Sequence, residues 1–374
     1  MADTVHRYPP LKRAGRFVEK WVRFRATALI GRLTAQVRQD PPDWDAMPWK
    51  VLFLRHDRIG DMIVSTGVLR AIHAAYPGLA LDVLASPVNA DVLLHEPAVR
   101  AVVRFDRRSL VDWWRLWWHL RRTRYDAVID PMVFTQSFTT LLLMLATRAR
   151  WRIGKAKAHL PHAYALPTAP VTLTGDHLVD HLSQLVTPFG IAAAAATTLG
   201  VPISAGERAA ALETWGAGRR ILVNVSAGKA FRAWPDDRFA TAARHIKAVV
   251  PEARVLVLHA PGEAVRARAI ADAAGAETAA GSLRHALALV STAEFVLTPD
   301  TSIVHAASAF HVPAVALFTL DQARRWHLYR NPGQDVITDG PTLAGIPVET
   351  ALTAIDAVLA GAGLTASPPE RALG

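Results

Sequence analysis

Apolar positions along this chain follow two alternating rhythms. Short apolar runs of strand length are separated by stretches in which apolar residues fall three and four apart, the helical spacing. Runs at 50–55, 79–85, 101–105 and 126–130 predict strands in the first half. Runs at 221–225, 254–258, 294–298 and 314–318 predict strands in the second. Helical patterns lie between them, among them 109–124, 236–249, 263–274, 282–291 and 303–310, with a last one near 347–361 that completes the second half or crosses back to the first. Strands alternating with helices in both halves imply an α/β chain of two parallel, doubly wound domains facing each other across a cleft. A low-complexity stretch from Ala192 to Pro202 reads as the linker. The expected division is a basic N-terminal segment over 1–45, an N-terminal domain over 46–203, a C-terminal domain over 204–361 and a tail over 362–374.

Two segments stand out from this alternation. Residues 11–38 read as an amphipathic helix in which Phe17, Trp21, Phe24, Leu29, Leu33 and Val37 are interleaved with Arg and Lys, stopped by Asp40-Pro41-Pro42. Its apolar stripe either lies in an anionic membrane surface or packs on the protein's own body. Segment 109–124 carries Trp113, Trp114, Trp117 and Trp118, with Ser109 as N-cap and Asp112 in the capping-box position. It reads as a helix packed against the sheet, the alternative being a Trp/Arg interfacial anchor. Ser204 and Glu207 mark a second capping box.

Composition narrows the classes. The 374 residues contain no cysteine, which excludes disulfides and thiolate metal sites. No run approaches the roughly twenty apolar residues of a membrane span, and no secretory signal is expected, because Lys and Arg interrupt the first apolar residues. The net charge of +10 points to nucleic acid, anionic lipid or phosphorylated substrates. No nucleic-acid-binding motif accompanies it, and basicity gathered in an amphipathic helix suits a membrane surface better.

The chemistry-bearing residues fall at strand ends. After strand 50–55 comes a short polar loop, then Gly60 and Asp61. Alone, Asp61 is accounted for as a carboxylate favoured at a helix N-terminus. Nearby Asp57 either pairs with Arg55 or Arg58 or perturbs Asp61 by like charge. In the second half the first strand is followed by Ser226, Gly228, Lys229 and Arg232, the second by Gly262 and Glu263, and the third by Asp300, Thr301, Ser302 and His305. Small residues permit close backbone approach, and helix N-termini present N–H groups to phosphate. Lys229 or Arg232 could neutralise a diphosphate, and Glu263 could accept ribose hydroxyls. Together the loops describe a nucleotide-diphosphate site. A P-loop, a Gly-x-Gly-x-x-Gly turn and a Gly-x-Ser-x-Gly elbow are all missing. His177 and His181 share a helix face without a neighbouring Glu and read as structural or surface residues.

These residues carry a family resemblance. Arg55…Ile59-Gly60-Asp61…Thr66…Leu69-Arg70-Ala71…Tyr76-Pro77 resembles the opening motif of the family 9 glycosyltransferases, the ADP-heptose:lipopolysaccharide heptosyltransferases and their relatives. Arg124 to Asp130, Arg152-Ile153-Gly154, His181-Leu182…Phe189-Gly190 and Arg232-Ala233-Trp234-Pro235 are similar to later landmarks, and Thr298 to Ala307 to the family's Asp-Thr/Ser-Gly-x-x-His-x-Ala signature. The resemblance spans about residues 49 to 345. It implies a GT-B fold and inverting, metal-independent transfer of a heptose or related sugar from a nucleotide-diphosphate donor, with no cofactor. The acceptor it implies is a lipopolysaccharide core or other envelope glycan.

In the roles it implies, Asp61 is the general base, Ser226, Gly228, Lys229, Arg232, Glu263, Asp300, Thr301, Ser302 and His305 hold the donor, and Arg55, Arg58 and Gly60 lie on the acceptor side. The implied location is cytoplasmic, peripheral on the inner face of the inner membrane, held there through residues 11–38. Two departures, Ser302 for the signature glycine and Ser226-Ala227-Gly228-Lys229 for the commoner Pro-Gly loop, motivate the alternative of a nucleotide-sugar-binding or scaffold protein that has lost catalysis.

Overall fold

The structure is a computed structural model and describes residues 24–134, 137–156, 163–168, 177–250 and 252–365. The first sheet contains β1 (Lys50–Arg55), β2 (Ala80–Ala85), β3 (Ala101–Arg104), β4 (Ala127–Asp130), β5 (Trp151–Lys155) and β6 (Leu166–Thr168). The second contains β7 (Arg219–Asn224), β8 (Ala253–Leu258), β9 (Glu277–Ala279), β10 (Phe295–Pro299), β11 (Ala314–Thr319) and β12 (Gln334–Thr338). All pairings are parallel. The spatial orders are β3-β2-β1-β4-β5-β6 and β12-β11-β10-β7-β8-β9. Counted within its own half, each sheet therefore has the 3-2-1-4-5-6 order of a dinucleotide fold. The point where strand order reverses lies between β1 and β4 in one sheet and between β7 and β10 in the other. Those four strands lead into the loops of Asp61, Asp130, Ser226 and Asp300.

The helices are α1 (24–33), α2 (Ile59–Ile63), α3 (Thr66–Ala75), α4 (Leu110–Thr123), α5 (Phe138–Thr147) and α6 (Leu178–Ser183) in the first half. The second half has α7 (Ala205–Trp215), α8 (Asp236–Val249), α9 (Ala264–Ala274), α10 (Leu283–Thr292), α11 (Ser302–Phe310), α12 (Leu320–Trp326) and α13 (Val348–Gly361). Strand alternation decides which core each residue joins. Leu52 and Leu54 pack under α4 and α5, while Val51 and Phe53 face the other side. Ile221 and Val223 pack under α8, while Leu222 faces the first domain's side. One apolar cluster thus runs from the inner face of one sheet through the seam to the inner face of the other.

Several expectations are refined. Of the amphipathic helix over 11–38, residues 11–23 lie outside the described residues, as does most of the 362–374 tail. α1 ends at 33, short of the prolines, because the chain leaves it to bridge two strands: Gln36 Oε1 accepts from the Arg152 and Ala165 N–H groups at 3.3 and 3.1 Å. Ile30 packs on the α4–α5 core, while Phe24, Leu29, Leu33 and Val37 are exposed. The expected linker is not a free tether. Ala196, Leu199 and Val201 are buried, and Gly67 of α3 sits so close that a Cβ would be 2.2 Å from the Ala196 carbonyl oxygen. α13 packs on α8, β11 and β12 and completes the second domain. At Ser109 only half of a capping box forms: its Oγ accepts from the Asp112 N–H, but Asp112 turns to the Asp106 N–H. At Ser204 both halves form.

Candidate active site

The helix expected after β1 is broken. α2 spans five residues, and Ser65 Oγ donates to the Asp61 carbonyl oxygen at 2.7 Å where the chain turns into α3. Asp61 is in the first turn of α2, its side chain 13% exposed. Beneath it, buried Arg55 donates Nε to the Asp61 carbonyl oxygen at 2.8 Å and Nη1 to Asp57 Oδ2 at 3.3 Å. Its Nη2 lies 3.7 Å from Asp61 Oδ1. Arg55 therefore braces both carboxylates from below. It is 2% exposed and also lines the cleft that opens above Asp61. Of the two expectations for Asp57, the pairing is the one seen. It pairs with Arg55, and its carboxyl is pushed up to about 6, first by burial, with the Asp61 charge adding to it.

Gly60 lies where the two domains meet. α2 packs directly on α11, and a Cβ on Gly60 would fall 2.7 Å from His305 Cδ2 and 3.6 Å from Ser302 Cα. Gly60 is a packing position that lets the two domains touch. Ser302 in place of the signature glycine leaves this approach intact.

The second domain brings its cations to the same seam. Arg232 Nε forms an ion pair with Asp300 Oδ2 at 3.0 Å, and its Nη2 donates to Gln322 Oε1 at 2.7 Å. Burial raises the Asp300 pKa, opposed by Arg232, Arg58 and Lys229. Burial lowers the Lys229 and Arg232 pKa values, and in both the charge of Arg58 lowers them further. Asp61 acts in the opposite direction on Arg232. Exposed Arg58 and Asp61 of the first domain and Lys229, Arg232 and Asp300 of the second thus share one electrostatic site. Asn224 Nδ2 donates to Thr298 Oγ1 at 2.9 Å and Thr301 Oγ1 at 3.0 Å, joining the β7 and β10 ends, and Thr301 caps α11. Ser226 Oγ accepts from the Ala260 N–H at 2.7 Å, joining the β7 and β8 loops. A Cβ at Gly228 or Gly262 would meet no heavy atom within 4 Å, so internal packing does not require glycine there. Glu263 is at the expected sheet edge, and its carboxylate pairs with Arg266 at 3.3 Å.

His305 is buried, and its pKa is pushed down to about 3, first by burial and then by Arg232 and His327. His177 stacks on Tyr329 and lies edge-on to His327, with ring centroids 4.7 Å away in each case. Its Nδ1 caps α6 by accepting from the Val179 N–H, the structural role expected of it. Across the seam, Tyr329 donates to Asp180 Oδ1 at 2.6 Å.

On the first domain's side a cleft of about 650 Å³ opens above Asp61. Its wall includes Arg58, Arg107, Arg108, Phe134, Arg325 and Trp326. Arg107, Arg108 and Arg325 were not among the expected site residues. The first two follow strand β3 and were accessible to the strand-end rule used for the other loops. Arg325 belongs to a short helix with no clear apolar period, and it reaches the cleft by lying 4.5 Å over the Phe134 ring of the opposite domain.

Comparison with known proteins bears on this arrangement. The model of glycosyltransferase family 9 (heptosyltransferase) matches residues 113–341, more than half of the chain. Lipopolysaccharide heptosyltransferase 3 of Escherichia coli is 23% identical over 290 residues, covering 73% of this chain and 84% of that protein. Among solved structures, a family 9 glycosyltransferase from Veillonella parvula superposes with a TM-score of 0.74 at 15% identity, covering 86% of this chain and all of that one. The E. coli ADP-heptose lipopolysaccharide heptosyltransferase II gives 0.69 at 19% identity, covering 83% and 99%. These likenesses are of fold, and the fold is GT-B.

Proposed function

The chain belongs to glycosyltransferase family 9, and from its seam geometry we propose that it transfers a heptose or related sugar, from ADP-heptose, to a lipopolysaccharide-core or other envelope glycan acceptor. Transfer proceeds with inversion. The Asp61 carboxylate takes the proton of an acceptor hydroxyl as that oxygen bonds to the anomeric carbon. The bond from that carbon to the diphosphate oxygen breaks on the opposite face, and the nucleoside diphosphate leaves with the electron pair. Arg58, Lys229 and Arg232 take up the developing charge, the service a divalent ion would otherwise perform. Thr301, Ser302 and the first turn of α11 cradle the phosphates, the open approach at Gly228 and Gly262 admits the donor backbone-close, and Glu263 contacts the ribose.

The observation that carries this reading is the contact of α2, which bears Asp61, with α11, whose first turn bears Ser302: a Cβ on Gly60 would fall 3.6 Å from Ser302 Cα and 2.7 Å from His305. Asp61 precedes the segment matched by the family model, so its role rests on that geometry. Arg107, Arg108 and Arg325 give the acceptor cleft a positive wall suited to a phosphorylated core. The enzyme works at the cytoplasmic face of the inner membrane. Among the described residues no helix is long and apolar enough to cross a membrane.

The test is transfer from a panel of ADP-, GDP-, UDP- and dTDP-sugars to a lipid A–core acceptor, with and without EDTA. Transfer from ADP-heptose that EDTA leaves unchanged is expected. No transfer from any donor, or activity abolished by EDTA and restored by metal, overturns the reading.

A further inference from the structure

α4 does pack on the sheet as expected, but through few residues. Among its large apolar side chains only Leu116 and Leu120 are buried, and Trp113 packs edge-on to Phe105 with centroids 4.9 Å apart. Leu110 is 84% exposed, Val111 56% and Trp114 65%, while Trp117 and Trp118 are 42% and 45% exposed. These five recur at helical spacing and form one stripe on the solvent side, an apolar face that soluble helices normally replace with polar residues. Arg115 and Arg122 are exposed beside it, and the Arg121 guanidinium lies 4.5 Å over the Trp117 ring. Exposed Leu29 and Leu33 of α1, with Arg32 between them, belong to the neighbouring helix that packs through Ile30 on the same core. The stripe also has a direction. Its N-terminal end, Leu110 and Val111, follows Arg107 and Arg108, which line the acceptor cleft.

We propose that this face of α4 seats the enzyme on an anionic lipid bilayer. Trp114, Trp117 and Trp118 enter the headgroup layer and Arg115, Arg121 and Arg122 meet lipid phosphates. The choice of a bilayer over a protein partner rests on the pairing of amphipathic tryptophans with arginines, the combination that membrane–water interfaces favour. Seated this way, the apolar stripe leads from the lipid to the basic cleft, so a lipid-borne acceptor reaches Asp61 without leaving the bilayer. That last step rests on the proposed function; the seating itself does not.

The experiment is flotation of the full chain with phosphatidylglycerol/phosphatidylethanolamine vesicles and with phosphatidylcholine vesicles, for the parent and for Trp114→Ser/Trp117→Ser/Trp118→Ser. Thermal melting and transfer to a delipidated core oligosaccharide serve as controls for folding. The parent is expected to float with the anionic vesicles only, with its tryptophan fluorescence quenched by brominated lipid. The triple variant is expected to lose at least tenfold in binding while melting like the parent. Equal flotation of parent and variant would assign binding to another segment and overturn the proposal, as would a parent that floats with neither vesicle. A parent dimer that the three substitutions convert to monomer would make the face a self-association surface and also overturn it. No sugar transfer enters the flotation readout, so its failure is separable from failure of the transferase reading.

Discussion

At the residue scale, the central element is a buried arginine under two carboxylates. Arg55 fixes Asp57 and Asp61 by charge and by hydrogen bonds to side chain and backbone. Arg55→Met, close in volume, leaves both carboxylates unbraced and is expected to lower kcat about a hundredfold, with a loss of melting temperature as well. Arg232 carries a different signature. It is paired with nearly buried Asp300, so Arg232→Gln strands that carboxylate in a poorly solvated site. The expected cost is on the order of 3 kcal/mol of stability, read by denaturant unfolding, together with weaker donor binding by calorimetry. Gly228→Ala contrasts with both. Its Cβ meets open space in the protein alone, so the melting temperature should stay within a degree or so while the KM for donor rises severalfold.

At the scale of elements, the contact of α2 with α11 decides whether the site assembles. Gly60→Ala puts a methyl group 2.7 Å from the His305 ring, which is held by burial and has little room to yield. The substitution should separate the two helices and reduce kcat/KM more than tenfold; unchanged kinetics would show that the contact is not needed. The sequence disclosed these elements unevenly, for physical reasons. β1, β7, β10 and β11 are buried on both faces and read as continuous apolar runs. β5 contains Arg152, Gly154 and Lys155, because its polar positions are satisfied by tertiary contacts such as Arg152 Nη2 donating to the Thr34 carbonyl oxygen. β6 and β9 are three residues long, too short to show a period, and β12 is an edge strand with one buried position. The break between α2 and α3 depends on Ser65 and Thr66 hydroxyls turning back to the carbonyls of Asp61 and Ile63. Residue types alone do not reveal that choice. The candidate site was readable where residues sit at strand ends, as Asp61, Lys229, Arg232 and Asp300 do; the bracing by Arg55 and the helix packing at Gly60 were not, because they depend on what lies behind those residues.

At the scale of the whole molecule, the two domains meet through one continuous apolar cluster and a seam of neutral, buried histidines. His305 and His177 have pKa values below the ordinary histidine value because burial penalises the imidazolium. The unfolded chain takes up these protons below about pH 6.5, while folded His305 does so only near pH 3. Their contribution to stability is therefore complete above the unfolded value and is lost as pH falls toward the folded one, by at most about 1.4 kcal/mol per pH unit for each histidine. The difference between the melting curves of the parent and of His305→Gln, followed from pH 7.5 to 5, should show this decline, because the raised carboxyl of Asp57 acts with the opposite sign in both proteins and cancels. The same seam aligns the reversal points of two identically wound sheets, which brings Asp61 to the side of the loops that carry Lys229, Arg232 and Asp300. The most direct test of that alignment is the single-turnover rate of sugar transfer from saturating ADP-heptose to a lipid A–core acceptor, compared between the parent and Asp61→Asn. The predicted result is a fall in rate of at least about a hundredfold, the usual range for loss of a general base, with donor affinity and melting temperature unchanged. Equal rates for the two proteins would contradict it.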